Sequence, residues 1–290
     1  MSRQTQAAID AYLAALVARE DIAPFFADDA VLTLVEVGQE TRGREAVAGA
    51  IADLHQRTFD ARPEVLNLVV GEGKAAGEFV FAGTHTGDFV GIPATGRSVR
   101  VPYTVFYDLE GGRITALRFQ GFASGLGAQL TAEATPAAGA PTPWPDPAPG
   151  GAMTPDEHKA ISRRTAELIN RRDLDALDPF FAPGYVDRTA PPGEAGDLAG
   201  LKRSFAAVIA AFPDLRITVE DQVAEGDRVV DRFTDRGTHR GEFLGVAPTG
   251  RAVTIAGVAI HRFVDGKIAE SWFYVDALDL LRQLGTTSLP

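Results

Sequence analysis

Hydrophobic positions in the second half of the chain follow two different periods. In residues 198–212, large apolar side chains recur at helical spacing, and Pro213 ends the predicted helix. Thr154 opens a capping box with Pro155 at the first helical position, which predicts a helix that runs to about Asn170. The other segments alternate apolar and polar residues, as strands with one buried face do.

These alternating segments predict a run of long strands after the helices. The remaining predicted elements are a short helix over 173–181, a short strand over 185–189, long strands over 215–224, 228–239, 251–263 and 267–275, and a closing helix over 277–284. Asp265-Gly266 forms the hairpin turn between the last two strands. This order predicts an α+β domain, with helices packed on one face of a strongly curved antiparallel sheet and enclosing a pocket.

The first half of the chain repeats the second. Residues 83–101 match residues 237–255 at ten of nineteen positions, and the register continues without a gap to Gln129 and Gln283. A repeat of this length predicts the duplication of a whole domain and excludes a short solenoid module.

A change in composition separates the two copies. Residues 131–152 are rich in Pro, Ala and Gly and have almost no apolar periodicity, which predicts a linker. The predicted organisation is a diverged domain over 1–130, this linker, and a second domain over 153–290. The length of 290 residues, about twice that of a typical domain, agrees with two domains.

Charge and composition exclude several classes of partner and cofactor. The net charge of −11 argues against nucleic acid or an anionic membrane surface as a partner. There is no cysteine, the histidines are scattered singly, and no phosphate loop or dinucleotide fingerprint occurs, so we predict neither a metal nor a cofactor. Without a signal peptide or a transmembrane stretch, the expected location is the cytoplasm.

The hairpin at Asp265-Gly266 predicts which residues share a face of the sheet. In the predicted register, Ala259 opposes Trp272 and Gly257 opposes Tyr274. One face then carries Ile268, Glu270, Trp272, Tyr274 and Asp276. Both faces hold bulky residues, and we favour the face of Trp272 as the pocket wall, because the small residues opposite leave room for a ligand. Trp272 and Tyr274 are therefore predicted to contact substrate.

Two residues at one end of this sheet are candidates for proton transfer. Asp276 ends a core strand, where burial raises the pKa of a carboxyl toward neutrality, as a general acid or base requires. It is equally placed to cap the helix that begins at Ala277. His239 either forms a dyad with Asp276 or holds the glycine-rich loop through backbone hydrogen bonds. The first copy keeps His85 but has Phe122 in place of Asp276, which favours a structural histidine.

Four other polar residues are candidates for the pocket. Asp187 and Asp214 are two carboxylates able to position a water or a substrate proton, although Asp214 also suits a turn and Asp187 an ion pair with Arg188 or Arg232. Arg232 interrupts an apolar strand and either binds an anionic or carbonyl oxygen or faces solvent. His261 is a candidate substrate contact or an ordinary buried histidine.

Four segments carry a resemblance to the SnoaL-like polyketide cyclases, also called ester cyclases, of the nuclear transport factor 2-like superfamily. They read EGDRVVDRFTDRGTHRGEFLGVAPTGRAV, HRFVDGKIAESWFYVDALDLLRQLG, YVDRTAPPG and AFPDLRITVED. The resemblance covers the second copy and implies acid/base aldol chemistry without metal or nucleotide, with Asp276 as the acid/base. Where the family often has His, this chain has Arg188.

The first copy resembles the family more weakly. It has Arg118 for Trp272, Tyr107 for His261 and Phe122 for Asp276. A different site there would be built from Glu36, Glu64, Tyr103 and Tyr107, but we expect this copy to keep the shape of the fold and not the catalysis.

The leading hypothesis is a cofactor-free acid/base cyclase or isomerase that acts on a hydrophobic, polyketide-like carbonyl compound in the second domain. One alternative is a small-molecule-binding module without turnover. Another is an epoxide hydrolase or epoxide-opening cyclase, which requires paired carboxylates such as Asp187 and Asp214 around one water. Members of the family pair through their sheets, so the two copies are expected to form an internal pseudo-dimer or to take part in a homodimer.

Overall fold

Two units, each with its own sheet, make up the chain. The computed structural model describes residues 2–35, 37–121, 123–131, 153–190 and 193–286. The chain divides into the units Met1–Pro145 and Asp146–Pro290. Each unit combines helices with one sheet, so the predicted α+β fold in two tandem copies is confirmed. Residues 132–152, nearly all of the predicted linker, lie outside the described residues.

The first unit contains a six-stranded sheet. Its elements are α1 (Ser2–Ala18), β1 (Phe26–Leu34), β2 (Gln39–Arg42), α2 (Arg44–Asp53), β3 (Phe59–Gly71), β4 (Lys74–His85), β5 (Ser98–Glu110), β6 (Arg113–Gln120) and α3 (Ala123–Thr131). The strand order is β2-β1-β6-β5-β4-β3. Strands β1 and β6 run parallel, and the other neighbours run antiparallel.

The second unit repeats this plan with five strands. Its elements are α4 (Pro155–Asn170), β7 (Phe181–Asp187), α5 (Leu198–Ala211), β8 (Arg216–Glu225), β9 (Arg228–Thr238), β10 (Ala252–Val264), β11 (Lys267–Val275) and α6 (Ala277–Leu284). The strand order is β7-β11-β10-β9-β8. The predicted short helix before β7 is a 3₁₀ helix over Asp175–Phe180.

The helix boundaries follow from local hydrogen bonds that the sequence encodes. Thr154 Oγ1 accepts a hydrogen bond from the backbone N–H of Glu157, and the Glu157 carboxylate accepts the N–H of Thr154, so the predicted capping box is present. Asp197 caps α5 by accepting the N–H of Gly200 at 2.7 Å. At the end of α6, Gly285 has a φ of 89° and closes the helix in the left-handed conformation.

One strand of each sheet departs from the predicted antiparallel arrangement. Strand β7 runs parallel to β11, and β1 runs parallel to β6. Parallel neighbours need a long connection, and here most of the unit lies between the two strands. The first strand therefore joins the last one at the sheet edge without a tight turn, and the sheets are mixed.

The predicted register between β10 and β11 is wrong by one residue over most of its length. Phe263 opposes Ile268 as predicted, but Arg262 opposes Glu270, so Ala269 is an extra residue in β11. The β5–β6 hairpin has the same irregularity at Thr115. Beyond the bulge, Trp272 opposes Ile260 instead of Ala259, and each later residue of β11 shifts in the same way.

Removal of the capping box gives a direct test of the α4 boundary. We expect Thr154→Ala to lower the free energy of unfolding of the second unit by about 1 kcal/mol, because the N–H of Glu157 loses its acceptor. Urea unfolding followed by circular dichroism measures this change. Thr154→Ser keeps the hydroxyl and should unfold like the parent chain, and equal midpoints for Ala and Ser would contradict the assignment.

Candidate functional site

The second unit encloses a cavity of about 400 Å³ between its helices and one face of its sheet. This volume lies in the range of small-molecule sites. Most of the lining is apolar and comes from α4, α5, α6 and the strands. The polar side chains that line it belong to Ser162, Thr165, Asp187, Thr189, Ser204, Asp231, Asp235, Arg236 and His261. An apolar enclosure with a few polar groups suits a hydrophobic ligand held by specific hydrogen bonds.

Strand alternation decides which residues reach this cavity. Strand β9 contributes Asp231, Phe233 and Asp235, and the β10 lining includes Ala259 and His261. From β11 the lining residues are Phe273 and Val275, whereas Trp272 and Tyr274 are not among them. The preferred face of β11 was therefore the wrong one, because the bulge at Ala269 reverses the alternation that the hairpin turn predicts.

Asp231 is the most fully buried carboxyl that lines the cavity, with 3% of its surface exposed. The Ser162 hydroxyl donates a hydrogen bond to Oδ2, and Gln222 Nε2 donates to Oδ1 at 2.7 Å. Removal from water raises the pKa of Asp231 to about 6, against the opposing effect of these two donors. Close to neutral pH, this carboxyl can therefore both take up and release a proton.

His261 lies beside Asp231 on the neighbouring strand. Its Nε2 is 3.7 Å from Asp231 Oδ2, and its Nδ1 is 2.8 Å from Ser271 Oγ. Burial lowers the pKa of His261 to about 4, so the ring is neutral at pH 7. With Nε2 protonated and Nδ1 accepting from Ser271, the ring directs an N–H toward Asp231 and the cavity.

Asp187 completes what we call the polar end of the cavity, formed by Ser162, Asp187, Asp231 and His261. Strand pairing places Asp187 opposite Ser271, which in turn opposes His261. The Asp187 carboxylate accepts hydrogen bonds from the N–H of Thr189 at 2.9 Å and from its hydroxyl at 2.8 Å. The ion pair considered for it with Arg188 does not occur, since Arg188 Nε binds Glu270 Oε2 at 2.6 Å.

Of the eight predicted site residues, only Asp187 and His261 line the cavity. Asp276 is the N-cap of α6, and its Oδ1 accepts the N–H of Asp279 at 2.9 Å. Asp214 is exposed and accepts hydrogen bonds from the N–H and hydroxyl of Thr238, each at 2.7 Å. Arg232 lies between Asp231 and Phe233 on β9, and its side chain does not line the cavity.

His239 holds the loop that follows β9. Its Nδ1 is 3.1 Å from Thr249 Oγ1 and accepts the N–H of Thr249 at 3.2 Å. His85 makes the same two contacts with Thr95 in the first unit. Burial lowers the pKa of His239. Its ring lies against Phe212, which lines the cavity, but His239 itself is not a lining residue. The same arrangement in both units agrees with the structural role considered for this residue.

Sequence reasoning missed Asp231, Asp235 and Ser162. Asp231 and Asp235 stand in the segment VVDRFTDRG, where polar residues occur on both faces of the strand and the pattern does not distinguish buried carboxyls from exposed ones. The repeat carried a usable signal, because the first copy has Gly77 and Phe81 at these two positions. Comparing the copies position by position identifies carboxyls that the fold itself does not require.

The first unit holds bulky apolar residues where the second has its cavity. In the second unit, the strand pairs at the cavity are Asp231–Ala259, Phe233–Gly257 and Asp235–Ile255. In the first unit, the equivalent pairs are, in the same order, Gly77–Val105, Phe79–Tyr103 and Phe81–Val101. The Phe79 ring lies 5.4 Å from that of Tyr103 and 6.5 Å from that of Tyr107, and Tyr12 lies 6.1 Å from Tyr107. Burial raises the pKa of all three tyrosines, as expected of hydroxyls inside a packed core.

These contacts bear on the alternative site considered for the first copy. Tyr103 and Tyr107 belong to the packed core, and Glu64 is exposed and pairs with Arg100 at 2.6 Å. Glu36 and Phe122 lie outside the described residues. The described members of this set therefore do not meet around one pocket in the first unit.

Comparison with known proteins places the chain in a family. The family description SnoaL-like polyketide cyclase matches residues 7–130 and 159–284, one segment in each unit. The chain therefore belongs to the SnoaL-like polyketide cyclase family. It is 28% identical over 137 residues to aklanonic acid methyl ester cyclase AcmA from Streptomyces galilaeus, an alignment that covers 44% of this chain and 91% of AcmA.

Two solved structures are similar to part of the chain. AclR from Streptomyces galilaeus is 35% identical, with a TM-score of 0.43, over 47% of this chain and 89% of AclR. IdmH from Streptomyces antibioticus is 34% identical, with a TM-score of 0.41, over 44% of this chain and 99% of IdmH.

No helix in the described ranges is long and apolar enough to cross a membrane. In those same parts of the chain, no group of three or more His, Asp or Glu residues is arranged to hold a metal ion.

The role of Asp276 as a helix cap can be separated from the role of its charge. We expect Asp276→Ala to lower the free energy of unfolding of the second unit by about 1 kcal/mol, because the N–H of Asp279 loses its acceptor. Asp276→Asn removes the charge but keeps a capping oxygen and should retain most of the stability. Thermal and urea unfolding of both variants measures the difference, and equal losses would show that capping is not what stabilises α6.

Proposed function

We propose that the second unit is a cofactor-independent acid/base cyclase that closes a ring by an aldol step on a hydrophobic, polyketide-like carbonyl compound. The observation that carries this proposal is the pair of Asp231 and His261 at one end of an apolar cavity. A carboxyl with a pKa near 6 and a neutral imidazole are the two groups that such a reaction needs. The name of the relative AcmA, a methyl ester cyclase, supports the same class of substrate.

The reaction can be written with these two side chains alone. The Asp231 carboxylate removes a proton from the carbon next to a carbonyl group, and the enolate carbon attacks a second carbonyl of the same molecule. One carbon–carbon bond forms, and the resulting alkoxide recovers the proton from Asp231. The N–H of neutral His261 donates a hydrogen bond to the developing negative oxygen. The product is an isomer of the substrate, so the reaction consumes no other reactant.

The rest of the site serves this chemistry by position. Ser162 and Gln222 hold the Asp231 carboxyl from a helix and from a neighbouring strand. Asp187 and His261 lie at the same level of the sheet, each paired with Ser271 from opposite sides. We assign to Asp187 the role of positioning a substrate hydroxyl or a water. The apolar walls exclude bulk water, which would otherwise protonate the enolate.

The resemblance to the family gives the acid/base role to Asp276, which remains a second candidate for it. We favour Asp231 because it lines the cavity, whereas Asp276 caps α6 and does not. The first unit has Gly77 in place of Asp231, so we assign catalysis to the second unit. An epoxide-opening reaction with Asp187 and Asp214 as its pair has no support, because Asp214 is exposed and bound to Thr238.

Replacement of the proposed base tests the assignment. With aklanonic acid methyl ester as substrate, we expect Asp231→Asn to lower kcat at least about 100-fold, since general acid/base groups contribute about 10²–10⁴. Chromatography with mass detection follows the conversion of substrate to a product of unchanged mass. Asp265→Asn makes the same chemical change in the hairpin turn, outside the cavity lining, and should leave kcat unchanged.

Three outcomes would contradict this proposal. Full activity in Asp231→Asn together with loss in Asp276→Asn would give the acid/base role to Asp276. Binding of the ester to the parent chain without any product would favour a binding module. If the parent chain neither binds nor converts the ester, the proposed substrate class is wrong.

The pH profile provides an independent test. The reaction needs the ionised form of Asp231, so kcat/KM should fall as the pH drops below about 6, the pKa of this buried carboxyl. His261 stays neutral above its lowered pKa and should add no further change between pH 6 and 8. A steady-state profile from pH 4.5 to 8.5 measures this limb, and a flat profile through pH 5 would exclude Asp231 as the base.

A further inference from the structure

The third carboxyl of the cavity lining, Asp235, has no role in the proposed reaction. Asp235 lies on the same face of β9 as Asp231 and lines the cavity between Phe233 and Gly237. Its Oδ1 is buried and has no hydrogen-bond partner among the described residues. Removal from water raises the pKa of Asp235 to about 7. A buried carboxyl without a partner destabilises the folded protein.

The fold does not need a carboxyl at this position. The first unit has Phe81 there, fully buried, and pairs it with Pro63 and Val101 at the positions equivalent to Ile217 and Ile255. Phe81 packs against Phe59 with ring centres 5.2 Å apart. The second unit therefore carries a polar atom without a protein partner, Asp235 Oδ1, where its own duplicate has a well-packed apolar side chain. A donor group bound in the cavity would satisfy this atom.

Asp235 stands at the opposite end of the cavity from the proposed reaction. Four residues along a strand separate it from Asp231, which corresponds to roughly 13 Å. Its strand neighbours are Ile217 and Ile255, and the lining beyond it includes Phe212, Val253 and Phe243. We call this the distal end of the cavity. Arg236, the residue that follows Asp235, is exposed and also belongs to the cavity lining.

We propose that Asp235 is a specificity-determining residue that binds a neutral hydroxyl or phenol group at the distal end of an elongated, otherwise apolar substrate. The inference rests on the proposed function in one respect, since it takes the polar end as the place of reaction. It adds that the substrate carries a second polar group, separated from the reacting carbon by roughly the 13 Å that separates Asp235 from Asp231 along β9.

The chemistry of this end selects the kind of group. A carboxyl that titrates near neutral pH accepts a hydrogen bond from a hydroxyl when ionised and exchanges donor and acceptor roles with it when neutral. A substrate carboxylate in contact with ionised Asp235 would meet a second negative charge and bind less well than a hydroxyl. A methyl group would leave Asp235 without a partner, so the site discriminates between a hydroxyl and its apolar equivalent.

A matched pair of ligands tests this inference without any turnover. The probes are 2-hydroxyanthraquinone and 2-methylanthraquinone, two rigid tricyclic molecules that differ in a hydroxyl and a methyl group. We expect the parent chain to bind the hydroxyl compound about tenfold more tightly in a calorimetric or fluorescence titration. In Asp235→Leu this preference should disappear or reverse, while the methyl compound binds at least as tightly as before. Asp235→Asn keeps a polar group and should retain part of the preference.

The same ratio of affinities in the parent chain and in Asp235→Leu would overturn the inference, and so would a parent chain that prefers the methyl compound. A purely structural role would weaken both ligands equally and leave the ratio unchanged. Because these titrations need no catalysis, their failure is separate from that of the proposed function, which is decided by turnover in Asp231→Asn.

The pH dependence of stability gives a second measurement. The folded chain holds the Asp235 proton up to about pH 7, whereas an unfolded Asp releases it near its ordinary value of 3.8. The parent chain therefore loses stability as the pH rises from about 4 to 7. Asp235→Asn removes this loss, so its Tm should exceed that of the parent by several degrees at pH 8 and match it at pH 4. An equal or lower Tm at pH 8 would show that the carboxyl already has a partner in the protein.

Discussion

One extra residue in β11 determines which side chains the cavity receives. The Asp265-Gly266 turn pairs Val264 with Lys267, and both turn residues have positive φ, 49° and 73°. Without a bulge, this turn would place Trp272 beside Ala259. Ala269 shifts the rest of the strand, so Phe273 takes that place and His261 gains Ser271 as its direct neighbour. The orientation of His261, and through it the pairing with Asp231, therefore depends on the bulge.

The bulge also occurs in the first unit, at Thr115, although that unit has no carboxyl at the positions of Asp231 and Asp235. Features of the two units thus fall into two kinds, those that both units share and those that one unit has alone. The bulge and the histidines His85 and His239, each bound to a threonine ten residues further on, occur in both units and belong to the fold. The acidic residues of β9 occur in one unit only and belong to the cavity.

The elements of the fold were predictable from the sequence because they depend on local patterns. The cap at Thr154, the turn at Asp265-Gly266 and the α6 helix all follow from residues adjacent in the chain. The face of β11 was not predictable, because bulky residues occupy both faces of this strand and so hide the position at which the extra Ala269 reverses the alternation. The site residues Asp231 and Asp235 were missed for a related reason, since their partners come from α4 and from other strands. Asp187 and His261 were identified as candidates, but their proximity could not be predicted, because it depends on the strand register that pairs both of them with Ser271.

The two units together indicate why the cavity keeps its carboxyls. Removing a carboxyl from water destabilises a folded chain unless donors compensate, and Asp231 has such donors in Ser162 and Gln222. Asp235 Oδ1 has no such donor in the part of the chain that the structure describes, and the first unit shows that an aromatic side chain fits the same place in the sheet. A chain under selection for stability alone would have the aromatic residue at both places. We attribute the carboxyl of the second unit to a ligand that donates a hydrogen bond to Asp235 and so compensates for the removal of this group from water.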